Sequence, residues 1–299
     1  MTESRPPRQR RPRLGPEERA RLLAEIAKYG PIPAEQTRAI RAVFTSDGED
    51  EGDTSVPAGD IWASLLTIPV DAPLLERNLV ITAARTDPAH AAFDVLRTRM
   101  VQALAENGWN RVGITSPTRD CGKTFTAVNL AITLSRYDNC RTVLLDMDLR
   151  NPSVGKVLGS AAPAAMGDYL RGMVTTEDYL RRLGRNTLNI GPNLALGLND
   201  RVEPFAAELF QQASTADTLA RLQDELRPDV VLFDLPPAMA QDDVIAFRPQ
   251  FDCILMVIGG GITKASEVRE MVRRLGESKP IVGVVLNKAE GEGVDSYSY

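Results

Sequence analysis

The chemistry-bearing stretch of this chain is Pro117-Thr118-Arg119-Asp120-Cys121-Gly122-Lys123-Thr124, which meets the spacing G-x-x-x-x-G-K-[ST] at every fixed position but the first. That pattern suits phosphate. Gly122 lets backbone N–H groups curl around phosphate oxygens. Lys123 carries a cation to the β- and γ-phosphates, and the Thr124 hydroxyl can ligate Mg²⁺. A helix beginning at Lys123 adds its positive end. ATP with Mg²⁺ is therefore the expected ligand, contacted by Asp120, Cys121, Gly122, Lys123, Thr124 and Phe125. Three residues depart from the pattern. Pro117 removes one N–H. Asp120 brings a negative charge, so its carboxylate is expected to turn outward; Asp also tolerates positive φ better than most residues, and Arg119 offsets its charge. Cys121 sits near a helix start and a lysine, a setting that lowers a thiol pKa. It is either a redox-sensitive element or a small turn filler.

Two further stretches place carboxylates at the ends of apolar runs. "TVLLDMDLRNP" ends in Asp146 and Asp148, which a period of two puts on one strand face. "DVVLFDLPP" ends in Asp234. Such groups can hold Mg²⁺ through water and accept a proton from a hydroxyl. A single strand-terminal Asp is as often a cap or turn former; three of them after a phosphate loop are harder to dismiss. The lone histidine, His90, has no partner for a zinc site and reads as a partly exposed helix residue. The three cysteines, Cys121, Cys140 and Cys253, are odd in number and scattered, which fits a reducing cytosol rather than a disulfide framework.

These groups need a scaffold. The runs "RVGITS", "RTVLLDMD", "DVVLFDLPP", "FDCILMVIG" and "PIVGVVLNK" alternate with helical segments near 123–136, 205–226, 241–247 and 264–276. Alternation of this kind predicts an α/β fold: three layers, a mostly parallel sheet with helices on both faces, and a ligand beyond the carboxyl ends of the strands. Ahead of them, residues 88–108 read as a helix with Ala92, Val95, Leu96, Met100 and Leu104 on one face, and "LERNLVITAA" as a short strand or extended lead-in. Residues 1–15, rich in Arg and Pro, cannot bury a core and read as a disordered basic arm. Residues 16–60 read as a helical appendage and acidic linker, 61–290 as the phosphate-binding domain and 291–299 as a tail. The net charge of -5 among 299 residues argues against nucleic acid as a partner. No apolar run is long enough to span a bilayer, and the N-terminus has no signal-peptide core.

With these motifs in view, residues 85–299 resemble the bacterial tyrosine kinases of capsule and exopolysaccharide synthesis and export. "SPTRDCGKT" with "VNLA" resembles the family's phosphate loop, Asp146-x-Asp148-x-Arg150 its second motif, and Asp234-x-Pro236-Pro237 its third. The "MGDYLRG" and "GVVLNK" stretches are weaker matches. The resemblance implies a P-loop NTPase fold and a cytoplasmic, ATP-dependent protein-tyrosine autokinase. It implies that Asp146 accepts the tyrosine proton, that Lys123, Thr124, Asp148 and Asp234 hold phosphates and Mg²⁺, that Arg150 steadies the phosphates, and that Asn287 lies near the adenine. The tail tyrosines Tyr297 and Tyr299 would be the phosphoacceptors. The family's membrane-spanning region is not in this chain, so the resemblance implies a separate membrane-bound chain-length regulator as activator, with recruitment to the inner face of the membrane. The family's assembly motif, E-x-x-R-x-x-R, is met only at Arg97, with Ala91 and Asp94 at the other positions, which leaves self-association open. Two other readings remain: a P-loop ATPase switch of the partition type, whose signature lysine is replaced by Thr118, and a non-catalytic ATP-sensing adaptor.

Overall fold

A computed structural model describes residues 61–80, 88–137, 140–184, 186, 188, 190–276 and 279–289. The basic arm, the appendage and linker, and the tail with Tyr297 and Tyr299 lie outside the described residues, as does the end of the "LERNLVITAA" stretch. Among the described residues eight strands form one sheet: β1 Thr67–Ile68, β2 Arg111–Thr115, β3 Thr142–Asp146, β4 Arg181–Leu183, β5 Leu194–Gly197, β6 Val230–Asp234, β7 Cys253–Gly259 and β8 Ile281–Asn287. Their order is β1-β4-β5-β3-β6-β2-β7-β8. Every pairing is parallel except β4 with β5.

Strand alternation builds the layers. Val143 and Leu145 of β3, Val231 and Phe233 of β6, and Ile254, Met256 and Ile258 of β7 enter one apolar cluster. Leu144, Val230, Leu232, Cys253, Leu255 and Val257 enter a second. A sheet that buries both faces needs helices on both, and this gives the three-layer α/β architecture. The helix Lys123–Leu134 belongs to the second cluster, with Ala127, Val128, Leu130, Ala131 and Leu134 buried.

The five apolar runs became β2, β3, β6, β7 and β8. The sequence reading passed over β1, β4 and β5. These are short and lie toward one edge, and β4 carries Arg181 and Arg182, so no long apolar run marks them. The expected helix at 205–226 is two helices, Ala206–Phe210 and Ala213–Leu226. The helix Pro88–Asn107 is present, but its buried side chains are Phe93, Met100, Ala103 and Leu104, while Val95 is 52% exposed. The lead-in is not a strand at its start. Ala72–Arg77 is a helix, begun by Pro73 in its first turn and by Asp71, whose carboxylate accepts from Leu74 N.

Candidate phosphate-binding site

The strands deliver the loop and all three carboxylates to one end of the sheet. β2 ends at Thr115 and runs into the loop, and Gly122 caps the helix Lys123–Leu134 at φ 92°, ψ 33°. That left-handed conformation is the reason for glycine here. A Cβ at this position would also collide with the Asn287 side-chain amide. Asp120 adopts φ 64°, as its tolerance of positive φ allows, and its residue is exposed. The loop is propped from behind. Asn287 Nδ2 donates to Cys121 O at 3.0 Å, and Lys288 Nζ donates to Asp120 O at 2.7 Å.

Asp146 and Asp234 are register partners on adjacent strands β3 and β6, and both are fully buried. Thr124 Oγ1 donates to Asp234 Oδ2 at 2.6 Å and lies 2.8 Å from Ser153 Oγ. Since the single Thr124 proton is directed to Asp234, Ser153 is the donor in the second contact. Asp146 Oδ2 accepts from Ser153 N and Val154 N, each at 2.9 Å. Asp146 Oδ1 and Asp234 Oδ1 are buried with no hydrogen-bond partner. Two orphaned carboxyl oxygens with a threonine hydroxyl beside Asp234 form an oxygen donor set suited to a cation. The donors fit Mg²⁺, which prefers one or two carboxylates plus waters and phosphate oxygens.

A cleft of about 360 Å³ opens over these groups, lined by Arg119, Asp120, Gly122, Lys123, Thr124, Phe125, Asp148, Asn151, Ser153 and Pro237. Asp120 stands on its wall without filling it. Lys123 is only 9% exposed, yet no carboxylate among the described residues lies within ion-pair distance of it. A nearly buried ammonium that Asp148 and Asp234 offset only from beyond ion-pair distance is better stabilised once an anion arrives.

Several expected residues sit elsewhere. Strand β3 stops at Asp146, so the period of two does not extend to Asp148. Asp148 lies in the following turn and lines the cleft, whereas Asp146 is sealed behind it. Arg150 does not line the cleft. Its Nε and Nη2 bind both Asp243 carboxylate oxygens, at 2.8 and 3.0 Å, and Nη1 donates to Pro204 O at 2.9 Å. Asn287 props the loop and is not among the cleft-lining residues. Cys121 turns its sulfur away, to Thr118 O at 3.3 Å and Thr263 Oγ1 at 3.4 Å, and is fully buried. This favours the turn filler. Burial also raises the Cys140 and Cys253 thiols, to about 11 and about 12. Native protein is therefore expected to resist a thiol reagent at all three cysteines and to react at all three after denaturation; rapid native labelling of Cys121 alone would restore the redox reading. His90 bridges Asp94, at 3.0 Å from Nδ1, and Arg136. The cleft residues missed from the sequence are Ser153 and Asn151, and Arg119 was read only as offsetting Asp120. Only the "RNPS" segment directly after Asp148 hinted at the first two.

Electrostatics set a pH signature. Burial, then the Asp234 charge, holds Asp146 well above the ordinary carboxylate range. Burial raises Asp234 to about 7, against the opposing pull of the Lys123 ammonium and the Thr124 hydroxyl. Burial raises Asp148 as well, and Lys123 again opposes it. A carboxyl whose folded pKa exceeds its unfolded value binds protons more tightly when folded, so its stabilising contribution fades as pH rises through the folded pKa. The nucleotide-free protein is thus expected to melt at a higher temperature at pH 6 than at pH 8. Saturating Mg²⁺ and ATP should flatten or reverse that slope, because the cation favours the ionised pair. Scanning calorimetry at both pH values checks this; a flat profile without ligand would contradict it.

Comparisons with known proteins bear on the family and the fold. The CobQ/CobB/MinD/ParA nucleotide binding domain matches residues 112–297. The chain is 27% identical over 214 residues to the tyrosine-protein kinase Etk of Escherichia coli strain K12, covering 71% of this chain and 28% of Etk. It is 25% identical over 227 residues to the tyrosine-protein kinase Wzc of Salmonella typhi, covering 75% of this chain and 30% of Wzc. The chain therefore spans less than a third of these relatives. Among solved structures, the VpsO kinase domain is 26% identical with a TM-score of 0.58, covering 72% of this chain and 98% of that one. The chain belongs to the CobQ/CobB/MinD/ParA nucleotide-binding domain family, and the relatives it resembles there are bacterial tyrosine kinases.

Proposed function

We propose that this chain is an ATP-dependent protein-tyrosine kinase that phosphorylates its own tail in trans. The observation that carries the reading is the juxtaposition of an unpaired, nearly buried Lys123 with the orphaned oxygens of Asp146 and Asp234. The resemblance to Etk, Wzc and VpsO supports the choice of tyrosine as acceptor. Phosphoryl transfer requires chiefly positioning and charge stabilisation, and the residues divide that work. Lys123 and the loop amides bind the phosphates. Thr124 and Asp234 would hold Mg²⁺, with Asp146 behind them; the cation, when bound, neutralises charge on the transferring phosphoryl group. Of the three strand-end carboxylates Asp148 is the one that lines the cleft, and burial raises its proton affinity. We therefore assign it, rather than the sealed Asp146, to receive the tyrosine proton. Arg150 acts through Asp243 and Pro204 O, tying down the turn that carries Asp148.

Tyr297 and Tyr299 are the proposed acceptors, and ATP with Mg²⁺ the proposed donor. The proposed setting is the cytoplasmic side of a polysaccharide export system, with a membrane-bound chain-length regulator as activator. Among the described residues no helix is long and apolar enough to cross a membrane. The test is transfer of labelled γ-phosphate to the full chain, with and without the regulator's cytoplasmic segment, in wild type and Tyr297→Phe/Tyr299→Phe. Phosphotyrosine in wild type that is lost in the double variant supports the reading. ATP hydrolysis with no phosphotyrosine under either condition would instead favour the ATPase switch.

A further inference from the structure

We propose that Arg119 is a second cation of the cleft, one that reads the terminal phosphate and so separates nucleoside triphosphates from diphosphates. The inference rests on the nucleotide reading of the site and gives Arg119, read from the sequence only as offsetting Asp120, a role toward the ligand. Arg119 lines the cleft together with Lys123, at a different depth: Lys123 is nearly buried at the floor, whereas Arg119 is exposed at the mouth. Its guanidinium makes no hydrogen bond or ion pair among the described residues, unlike Arg111, Arg150 and Arg171, which are each held by a carboxylate.

Its backbone, by contrast, is held on both sides. Thr118 O accepts from Ser116 Oγ at 2.6 Å and from Cys121 Sγ at 3.3 Å. Asp120, left-handed at φ 64°, has its carbonyl fixed by Lys288 Nζ. A fixed base with a free, permanently charged head suits a group that engages an incoming anion. Arg119 and Asp148 line the same cleft, so a guanidinium there can reach an anion held between Lys123 and Asp148. Contact with the last phosphate only would strengthen ATP binding and leave ADP binding nearly unchanged.

The experiment is calorimetric titration of the full chain with Mg²⁺·ATP and with Mg²⁺·ADP, using wild type, Arg119→Ala, Arg119→Lys and Arg99→Ala. Arg99 is exposed on the helix Pro88–Asn107, so its loss removes the same charge away from the cleft. Expected are an ATP affinity lower by on the order of tenfold or more in Arg119→Ala, an ADP affinity changed by less than about threefold, partial recovery in Arg119→Lys, and no change in Arg99→Ala. Equal losses for ATP and ADP, no loss, or tighter ATP binding in Arg119→Ala would each overturn the inference while leaving the site reading intact. Wild type that binds neither nucleotide would overturn both.

Discussion

Lys123→Met is expected to abolish measurable phosphoryl transfer, with a fall on the order of 10²–10³ or greater, while leaving the fold intact. Removal of one preorganised charge from a transition state of this kind has effects of that size. Here the effect is compounded. Lys123 is the cation at the floor of the cleft, and it also opposes the upward pKa shifts of Asp148 and Asp234. Without it both carboxyls hold protons more firmly, so Mg²⁺ must compete harder for Asp234. Stability should not suffer. Lys123 is 9% exposed and makes no ion pair among the described residues, so a methionine of similar length removes a nearly buried charge that Asp148 and Asp234 only partly offset. A melting temperature equal to or above that of wild type, together with lost transfer, is the predicted pair of results. A variant that unfolds would mean that Lys123 supports the fold instead.

Asp234→Asn is the second large effect, and its two readouts move in opposite directions. Asp234 is fully buried, faces Asp146 across the β3–β6 pairing, and leaves Oδ1 without a partner. Asparagine keeps the shape and can still accept from Thr124, while the buried charge is gone. The nucleotide-free variant is expected to be more stable by about 1–2 kcal/mol, a rise of roughly 2–8 °C in melting temperature. It should also lose most of the pH 6 to pH 8 dependence, because the group that titrates near neutrality is missing. Transfer should fall on the order of 10²-fold or more, since an amide is a poor partner for Mg²⁺. Stability traded for function at one residue is the behaviour expected where strain is retained for chemistry. A destabilised variant with normal transfer would contradict the assignment of Asp234 to the metal.

How much of this was legible beforehand depended on the signal each residue carried. Fully buried strands announce themselves as continuous apolar runs, so β2, β3, β6, β7 and β8 could be placed together with the loop between β2 and its helix. The short strands β1, β4 and β5 toward one side of the sheet could not, because two to four residues make no run, and β4 carries two arginines. Within the site, types and spacing brought Lys123, Thr124, Asp148 and Asp234 together at the strand ends. Sequence could not show where β3 stops, and that decides which of Asp146 and Asp148 meets the cleft. Nor could it show side-chain partners. Arg150 is committed to Asp243, Asn287 to the loop carbonyl of Cys121, and Cys121 to Thr118 and Thr263, each through contacts distant in sequence or set by the local turn. Ser153 was overlooked, and Arg119 read only as offsetting Asp120, for the same reason: their importance lies in what stands opposite them.

The most direct measurement is a calorimetric titration of wild-type protein with ATP in the presence of Mg²⁺ and again with the metal chelated. The account predicts saturable binding of one nucleotide per chain that weakens by on the order of tenfold or more without Mg²⁺, and that is lost in Lys123→Met. No binding, or binding indifferent both to the metal and to Lys123, would contradict a site built on the loop, the Thr124 hydroxyl and the carboxylates of β3 and β6.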